Sequence, residues 1–177
     1  MTEPTTAADL ADIPLTRIDG TSAKFGDYAD GPVLVVNVAS RCGLAPQYEQ
    51  LEELQQKYGE RGFTVLGFPS NQFAQELKTS EDISEYCSTT WGVTFPMFEK
   101  TKVNGRHKHP LYAELHRAKD PSGLAGPVVW NFEKFLVLPS GEVRRFRPTT
   151  KPDDPAIVDL IEANLPPAQN ASDEGAN

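Results

Sequence analysis

One cysteine, Cys42, lies where a predicted strand passes into a predicted helix. The strand is the apolar run Val33–Val38, and Pro46 suits the first helical position, where a missing N–H costs nothing. The reactive form of cysteine is the thiolate, which the unpaired N–H groups of a helix N-terminus and a cation such as Arg41 favour. Ala45 is a poor N-cap, so a capping side chain is not expected to take all of these N–H groups, and they could turn towards an anion. Cys42 is therefore a candidate nucleophile; the alternative is a small core residue at a strand end.

The second cysteine of the chain is Cys87. No thiol lies within the three residues after Cys42, so the C-x-x-C motif of dithiol oxidoreductases is missing. Cys87 falls with Ile83 on the apolar face of a predicted helix, which is typical of a buried residue. The alternative is a thiol that attacks an oxidised Cys42, and disulfide geometry then requires the helix to loosen.

The elements that carry these thiols alternate along the chain. Apolar patterning predicts strands over 13–18, 33–38, 63–68, 132–138 and 142–146, with a further short apolar segment at 95–98. Helices are predicted from Pro46, Thr79 or Ser80, Pro110 and Asp154. This order predicts an α/β fold, a central mixed sheet flanked by helices, over residues 12–165. Residues 1–11 are predicted to be flexible, and residues 166–177 to be a disordered tail.

Composition excludes several classes of function. The chain has 177 residues and a net charge of -8, which disfavours nucleic-acid binding and association with anionic membranes. The sequence shows no secretory signal and no apolar run long enough for a bilayer, so two reduced thiols in a cytoplasmic protein are expected. His107 and His109 have no further ligands in register, so no metal is predicted.

Three blocks of sequence, in this order, resemble the glutathione peroxidase family. They are NVASRCG at 37–43, GFPSNQF at 67–73 and WNFEKFLV at 130–137. The segments GVTFP at 92–96 and PTTKP at 148–152 also fit, so the resemblance runs from about residue 13 to residue 165. In the first block, cysteine stands where some members of the family carry selenocysteine.

The resemblance implies a thioredoxin-like fold and the reduction of hydroperoxides without a cofactor or metal. It also implies a catalytic group made of Cys42, Gln75, Trp130 and Asn131. Cys87 matches the resolving cysteine of the two-cysteine branch, which is recycled by thioredoxin rather than mainly by glutathione. Thioredoxin is therefore the expected reductant, with glutathione as the alternative.

The sequence departs from the family pattern in the loop before the second helix. The family usually has two residues between N-Q-F and Q-E, whereas this chain has only Ala74. The sequence therefore leaves open whether the shorter loop lets Gln75 reach Cys42. Gln72 is the alternative donor. Residues 119–127 also lack the long insertion that accompanies tetramers in some members, so a monomer or weak dimer is expected.

Other functions fit the same thiols. A peroxide sensor or relay would pass the oxidation to a partner protein, and an inactive scaffold would keep only the fold. A peroxiredoxin is disfavoured, because the Pro and Thr that precede its thiol are both missing from residues 37–41.

Overall fold

A four-stranded mixed sheet forms the centre of the protein. The computed structural model describes residues 10–167. Its strands are β1 Pro14–Thr16, β2 Ser22–Lys24, β3 Val33–Val38, β4 Thr64–Pro69, β5 Lys134–Val137 and β6 Val143–Phe146. Its helices after residue 10 are α1 Gln47–Tyr58, α2 Ser80–Trp91, α3 Pro110–Leu115 and α4 Pro155–Ala163, with 3-10 turns at Phe25–Tyr28 and Gly59–Arg61.

The strand β3 is central, which explains its unbroken apolar sequence. All six of its residues are buried. It pairs in parallel with β4 and antiparallel with β5, which in turn pairs antiparallel with β6. A parallel neighbour requires a crossover, and α1 supplies it. Cys42 therefore follows the carboxyl end of the central strand, where open α/β sheets bind their ligands.

Each face of the sheet has its own apolar core. Leu34 and Val36 of β3 point to the face covered by α1, α2 and α4, and this core also contains both cysteines. Val33 and Val35 point to the opposite face, which α3 covers with Leu111, Tyr112 and Leu115. The predicted mixed sheet flanked by helices is therefore confirmed.

Some predicted boundaries differ from the observed ones. The segment 95–98 is not a full strand: Met97 bridges to Gly67 and Phe98 to Arg17, and Pro96 has no N–H to extend the pairing. The short strand β2 carries no strong apolar alternation and was not anticipated. The helix predicted to begin at Pro110 does begin there, but it is short and ends at Leu115.

The predicted chain ends lie largely outside the described residues. This holds for residues 1–9 of the predicted flexible segment and residues 168–177 of the predicted tail. Leu10, at the start of the described part, is fully buried, and the carbonyl of Ala11 accepts a hydrogen bond from Gly26. Packing therefore begins before residue 12.

A buried lysine on β5 makes the stability of the fold depend on pH. Burial lowers the pKa of Lys134 from 10.5 to about 7, and its Nζ donates to the carbonyl of Pro148 at 2.7 Å. Between these two pKa values the unfolded chain binds a proton that the folded protein has released, so stability rises with pH. We expect a rise of about 1 kcal/mol per pH unit between about pH 7 and about pH 9.

Urea unfolding across this range, followed by circular dichroism, measures the slope. Lys134→Met is the matched variant, because it keeps the length of the side chain and removes the titrating group. In this variant, most of the increase of stability with pH should be lost. An equal slope in both proteins would contradict the assignment to Lys134.

Candidate active site

The Cys42 thiol lies in the turn that precedes α1. Cys42 is only 5% exposed, and the backbone N–H of Leu44 donates to its Sγ at 3.4 Å. As expected, no side chain caps the helix, but backbone carbonyls take the donors of its first turn. Pro46 already has helical angles, and the N–H groups of Gln47 and Tyr48 bind the carbonyls of Leu44 and Ala45. The group that meets the sulfur is therefore the N–H of this turn.

Gln75 reaches the Cys42 turn despite the shortened loop. Its backbone carbonyl accepts from the N–H of Arg41 at 2.8 Å, and its Oε1 accepts from Nδ2 of Asn131 at 2.9 Å. The loop closes because Ala74 adopts a left-handed conformation with φ of 60° and donates to the carbonyl of Asn71 at 2.9 Å. Since the Gln75 oxygen is used, its NH₂ end is the donor that it can offer to a substrate.

The alternative donor, Gln72, has a different role. Its Oε1 accepts from the N–H groups of Val103 and Asn104, at 2.6 and 2.9 Å, and its Nε2 donates to the carbonyl of Asn104. Gln72 therefore holds the loop before α3. Gln75, rather than Gln72, is the amide that accompanies Asn131.

Asn37 orients the Trp130–Asn131 turn, a role that the sequence interpretation missed. Its Nδ2 donates to the carbonyl of Trp130 at 3.1 Å, and its Oδ1 accepts from the N–H of Glu133 at 3.1 Å. Its own carbonyl accepts from the N–H of Phe132, a buried residue with an unusual φ of 66°. A polar residue inside a buried strand was the available signal, because such groups are almost always hydrogen-bonded.

Trp130 and Asn131 have opposite exposures. Asn131 is fully buried, whereas Trp130 is 38% exposed and packs against Phe73 with ring centroids 5.1 Å apart. The backbone thus presents the indole at the surface and the amide in the interior. The structure brings Gln75 and Asn131 into direct contact beside the Cys42 turn, with Trp130 next in the chain.

Cys87 faces inward from α2. It is 2% exposed, and both cysteines are free thiols. Burial is the main reason why the pKa of Cys87 is raised to about 11. A hydrogen bond with the Tyr48 hydroxyl lowers this pKa, and the charge of Glu76 raises it. The hydroxyls of Ser88 and Thr89, directly after Cys87, both donate to the carbonyl of Glu85, a pattern that slightly destabilises helices.

Residues 10–167 contain no cluster of three or more His, Cys, Asp or Glu side chains that could hold a metal ion. The side chain of His109 instead caps α3 by accepting from the N–H of Leu111 at 3.0 Å. None of the helices described is both long and apolar enough to cross a membrane.

The chain is similar to known glutathione peroxidases. The glutathione peroxidase family model matches residues 10–116. Thioredoxin/glutathione peroxidase BtuE of Escherichia coli is 46% identical over 170 residues, covering 84% of this chain and 92% of the relative. Hydroperoxy fatty acid reductase gpx1 of Synechocystis is 45% identical and covers 77% and 85%; glutathione peroxidase-like peroxiredoxin 2 of Saccharomyces cerevisiae is 49% identical and covers 80% and 90%.

Solved structures show the same fold. T. cruzi GPX1 superimposes with a TM-score of 0.68 at 30% identity, covering 89% of this chain and 97% of its own. Trgpx in its apo form gives a TM-score of 0.67 at 35% identity and covers 92% and 99%. The predicted thioredoxin-like architecture is confirmed, and the chain belongs to the glutathione peroxidase family.

Proposed function

We propose that this protein is a thiol peroxidase that reduces hydroperoxides through Cys42 and resolves the product with Cys87. Membership of the glutathione peroxidase family supports the peroxidase activity. The observation that carries the assignment of the site is the hydrogen bond between Gln75 and Asn131, on a loop that also binds the backbone of Arg41. These two contacts support a site in which Gln75 and Asn131 lie beside the turn that holds Cys42.

The first step is attack of the Cys42 thiolate on the terminal oxygen of the hydroperoxide. The O–O bond breaks, Cys42 becomes a sulfenic acid, and the leaving oxygen takes a proton to give an alcohol or water. Negative charge develops on that leaving oxygen. The NH₂ of Gln75 and the indole N–H of Trp130 are donors suited to stabilise it.

The second step joins the two cysteines. Cys87 attacks the sulfenic acid, and a Cys42–Cys87 disulfide forms with loss of water. Cys87 lies in the half of α2 that contains Ser88, Thr89 and Thr90, residues with low helix propensity. Local opening of this half is the movement that the disulfide requires, and the two side-chain bonds to the carbonyl of Glu85 favour it.

A dithiol protein of the thioredoxin type then reduces the disulfide by exchange. Support comes from the names of two relatives, one a thioredoxin/glutathione peroxidase and the other a glutathione peroxidase-like peroxiredoxin. Glutathione is the alternative thiol reductant. The cytoplasmic location and the monomer or weak dimer stay predictions.

A coupled assay tests the function. The protein is mixed with hydrogen peroxide, thioredoxin, thioredoxin reductase and NADPH, with a fatty acid hydroperoxide as a second substrate. We expect NADPH oxidation that disappears in Cys42→Ser. Replacing the thioredoxin system by glutathione and glutathione reductase compares the reductants. Consumption no faster than that of Cys42→Ser with either system would refute the proposal.

The variant Cys87→Ser should keep the first step and lose turnover. Since Cys87 is needed only to resolve the sulfenic acid, the variant should consume one equivalent of peroxide and then stop with thioredoxin as reductant. Mass spectrometry after a dimedone quench should find adduct on Cys42, whereas the wild type should show a Cys42–Cys87 bridge. Sustained turnover of the variant with thioredoxin would contradict the role of Cys87.

The same variant examines the relay alternative. Deep burial of Cys87 prolongs the life of the Cys42 sulfenic acid, which gives a thiol of a partner protein time to react with it. A relay predicts a mixed disulfide between Cys42 and a client in cells exposed to peroxide. If the coupled assay shows slow turnover and such a client is trapped, the relay is the better description.

A further inference from the structure

The large apolar side chains that are exposed to solvent lie in one short segment of the chain. Among residues 10–167 there are three of them, Leu124, Val129 and Trp130, with 61%, 56% and 38% of their surface exposed. Single exposed apolar residues are normal on a protein surface, whereas neighbouring ones mark a binding surface. The segment 124–130 is therefore a candidate surface of this kind.

An ion-paired network holds the backbones of Leu124 and Val129 near each other. The N–H of Val129 donates to Oε1 of Glu133 at 3.2 Å. The guanidinium of Arg147 donates to the same oxygen at 3.1 Å and to the carbonyl of Leu124 at 3.4 Å. Because these bonds share one carboxylate oxygen and one guanidinium group, the two exposed residues occupy neighbouring parts of the surface.

The loop that carries Leu124 is fixed by hydrogen bonds of its own. Oδ1 of Asp120 accepts from the N–H groups of Ser122 and Leu124, both at 2.9 Å. Oδ2 of Asp120 pairs with Arg147 at 2.7 Å. A side chain on an ordered loop loses less conformational freedom when it binds a ligand, so Leu124 is preorganised for contact.

Trp130 connects this surface to the candidate active site. Its ring packs on Phe73 with centroids 5.1 Å apart, and Phe73 lies two residues before Gln75. Trp130 directly precedes Asn131, whose Nδ2 donates to Oε1 of Gln75 at 2.9 Å. The exposed apolar surface therefore begins at the residues that would surround a bound peroxide group. The apolar shelf, as we call this surface, consists of Phe73, Leu124, Val129 and Trp130.

We propose that the apolar shelf binds the hydrocarbon chain of a hydroperoxide whose O–O group lies at Cys42, and that Leu124 and Val129 thereby determine substrate preference; this rests on the proposed function. The occupant follows from the position of the shelf. A substrate that places its peroxide group beside Trp130 extends the rest of the molecule over the adjoining surface. The four side chains carry no charge, so a chain of methylene groups covers them without removing an ion from water.

The shelf should make the rate of oxidation depend on the length of the substrate chain. Complete burial of one methylene group changes an equilibrium by about fourfold, and an open shelf covers about half of the group, which leaves about twofold per methylene. Hydrogen peroxide has no carbon chain and gains nothing from the shelf. It is therefore an internal reference for the chemistry at Cys42.

The experiment compares kcat/KM for hydrogen peroxide and for straight-chain alkyl hydroperoxides from ethyl to octyl, in the coupled assay with thioredoxin. The test variant is Leu124→Asn with Val129→Thr, in which polar side chains of similar size replace the two apolar ones. In the wild type, we expect kcat/KM to rise about twofold per methylene. In the double variant, kcat/KM for octyl hydroperoxide should fall about tenfold, whereas the value for hydrogen peroxide should be unchanged.

Val158→Thr is the matched control. Val158 lies on α4 and packs against the core on the α1 side of the sheet, whereas Phe73 of the shelf packs against the opposite core. The control makes the same chemical change as Val129→Thr and should keep the wild-type dependence on chain length. Turnover with hydrogen peroxide shows that each variant is folded.

Several results would overturn the inference. One is a wild-type kcat/KM that does not change with chain length, and another is an unaltered dependence in the double variant. An equal loss with hydrogen peroxide would show that the substitutions disturb the site itself. A selective fall in kcat/KM for thioredoxin, or a wild-type dimer in sedimentation that the double variant dissociates, would assign the shelf to a protein partner. A wild type inactive towards hydrogen peroxide and every alkyl hydroperoxide would instead refute the proposed function.

Discussion

Replacing Asn37 by Ala will destabilise the protein by about 3 kcal/mol and impair peroxide reduction. The substitution leaves the carbonyl of Trp130 and the N–H of Glu133 without their partner, and each such buried group costs about 1–3 kcal/mol. It also releases the turn that sets the positions of Trp130 and Asn131. The donors at the site then lose their alignment, so the rate of Cys42 oxidation should fall about tenfold or more.

Urea unfolding and the rate of Cys42 sulfenic acid formation measure the two effects. Asn164→Ala is the control, since Asn164 also binds a carbonyl, that of Leu160, but at the end of α4. It should lower stability slightly and leave the oxidation rate unchanged. If Asn37→Ala folds with normal stability, or oxidises at the wild-type rate, Asn37 does not orient this turn.

Replacing Glu133 by Ala will cost about 3–5 kcal/mol of stability, because it leaves a buried cation uncompensated. The side chains of Glu133 and Arg145 are both fully buried and form an ion pair. Arg147 binds the other oxygen of Glu133 at 3.1 Å, and the N–H of Val129 donates to the same oxygen at 3.2 Å. The network therefore ties the segment before Trp130 to β6.

The exposed pair on the same hairpin is the control. Glu142 and Arg144 are about half exposed, so Glu142→Ala should change stability by less than about 1 kcal/mol. The double variant Glu133→Gln with Arg145→Met should recover part of the loss of Glu133→Ala, because it removes the unpaired charge together with its partner. Equal urea midpoints for Glu133→Ala and Glu142→Ala would show that the buried pair contributes no more than the exposed one.

Much of the sheet was predictable because its signals are local. The β-branched run at Val33–Val38 and the turn before Val143 indicate strands without any knowledge of their neighbours. Helix starts were predicted at Thr79 or Ser80 and at Asp154. Thr79 and Asp154 cap these helices by accepting from the N–H groups of Asp82 and Ala156. The apolar segment 95–98 pairs only through two isolated bridges, and these depend on which strands lie beside it rather than on its own sequence pattern.

The candidate site was predictable in its members but not in its connections. The family resemblance implied Cys42, Gln75 and Asn131 as members of the site, whereas the shortened loop left the reach of Gln75 open. A single left-handed residue, Ala74, closes the loop, and alanine carries no sign of such a conformation. Asn37 was visible as a polar residue in an apolar strand, but its partners lie more than 90 positions away.

The positions of the two tryptophans give the protein its own optical probes. Trp91 ends α2, stacks on Tyr48 with centroids 6.4 Å apart and donates to the Tyr86 hydroxyl at 3.0 Å. Trp130 directly precedes Asn131 in the chain and is partly exposed to solvent. Emission from Trp130 should therefore respond to the chemistry at Cys42, and emission from Trp91 to the opening of the helix. Because the chain has no other indole, Trp91→Phe would leave a single-tryptophan protein, in which indole emission reports the oxidation event alone.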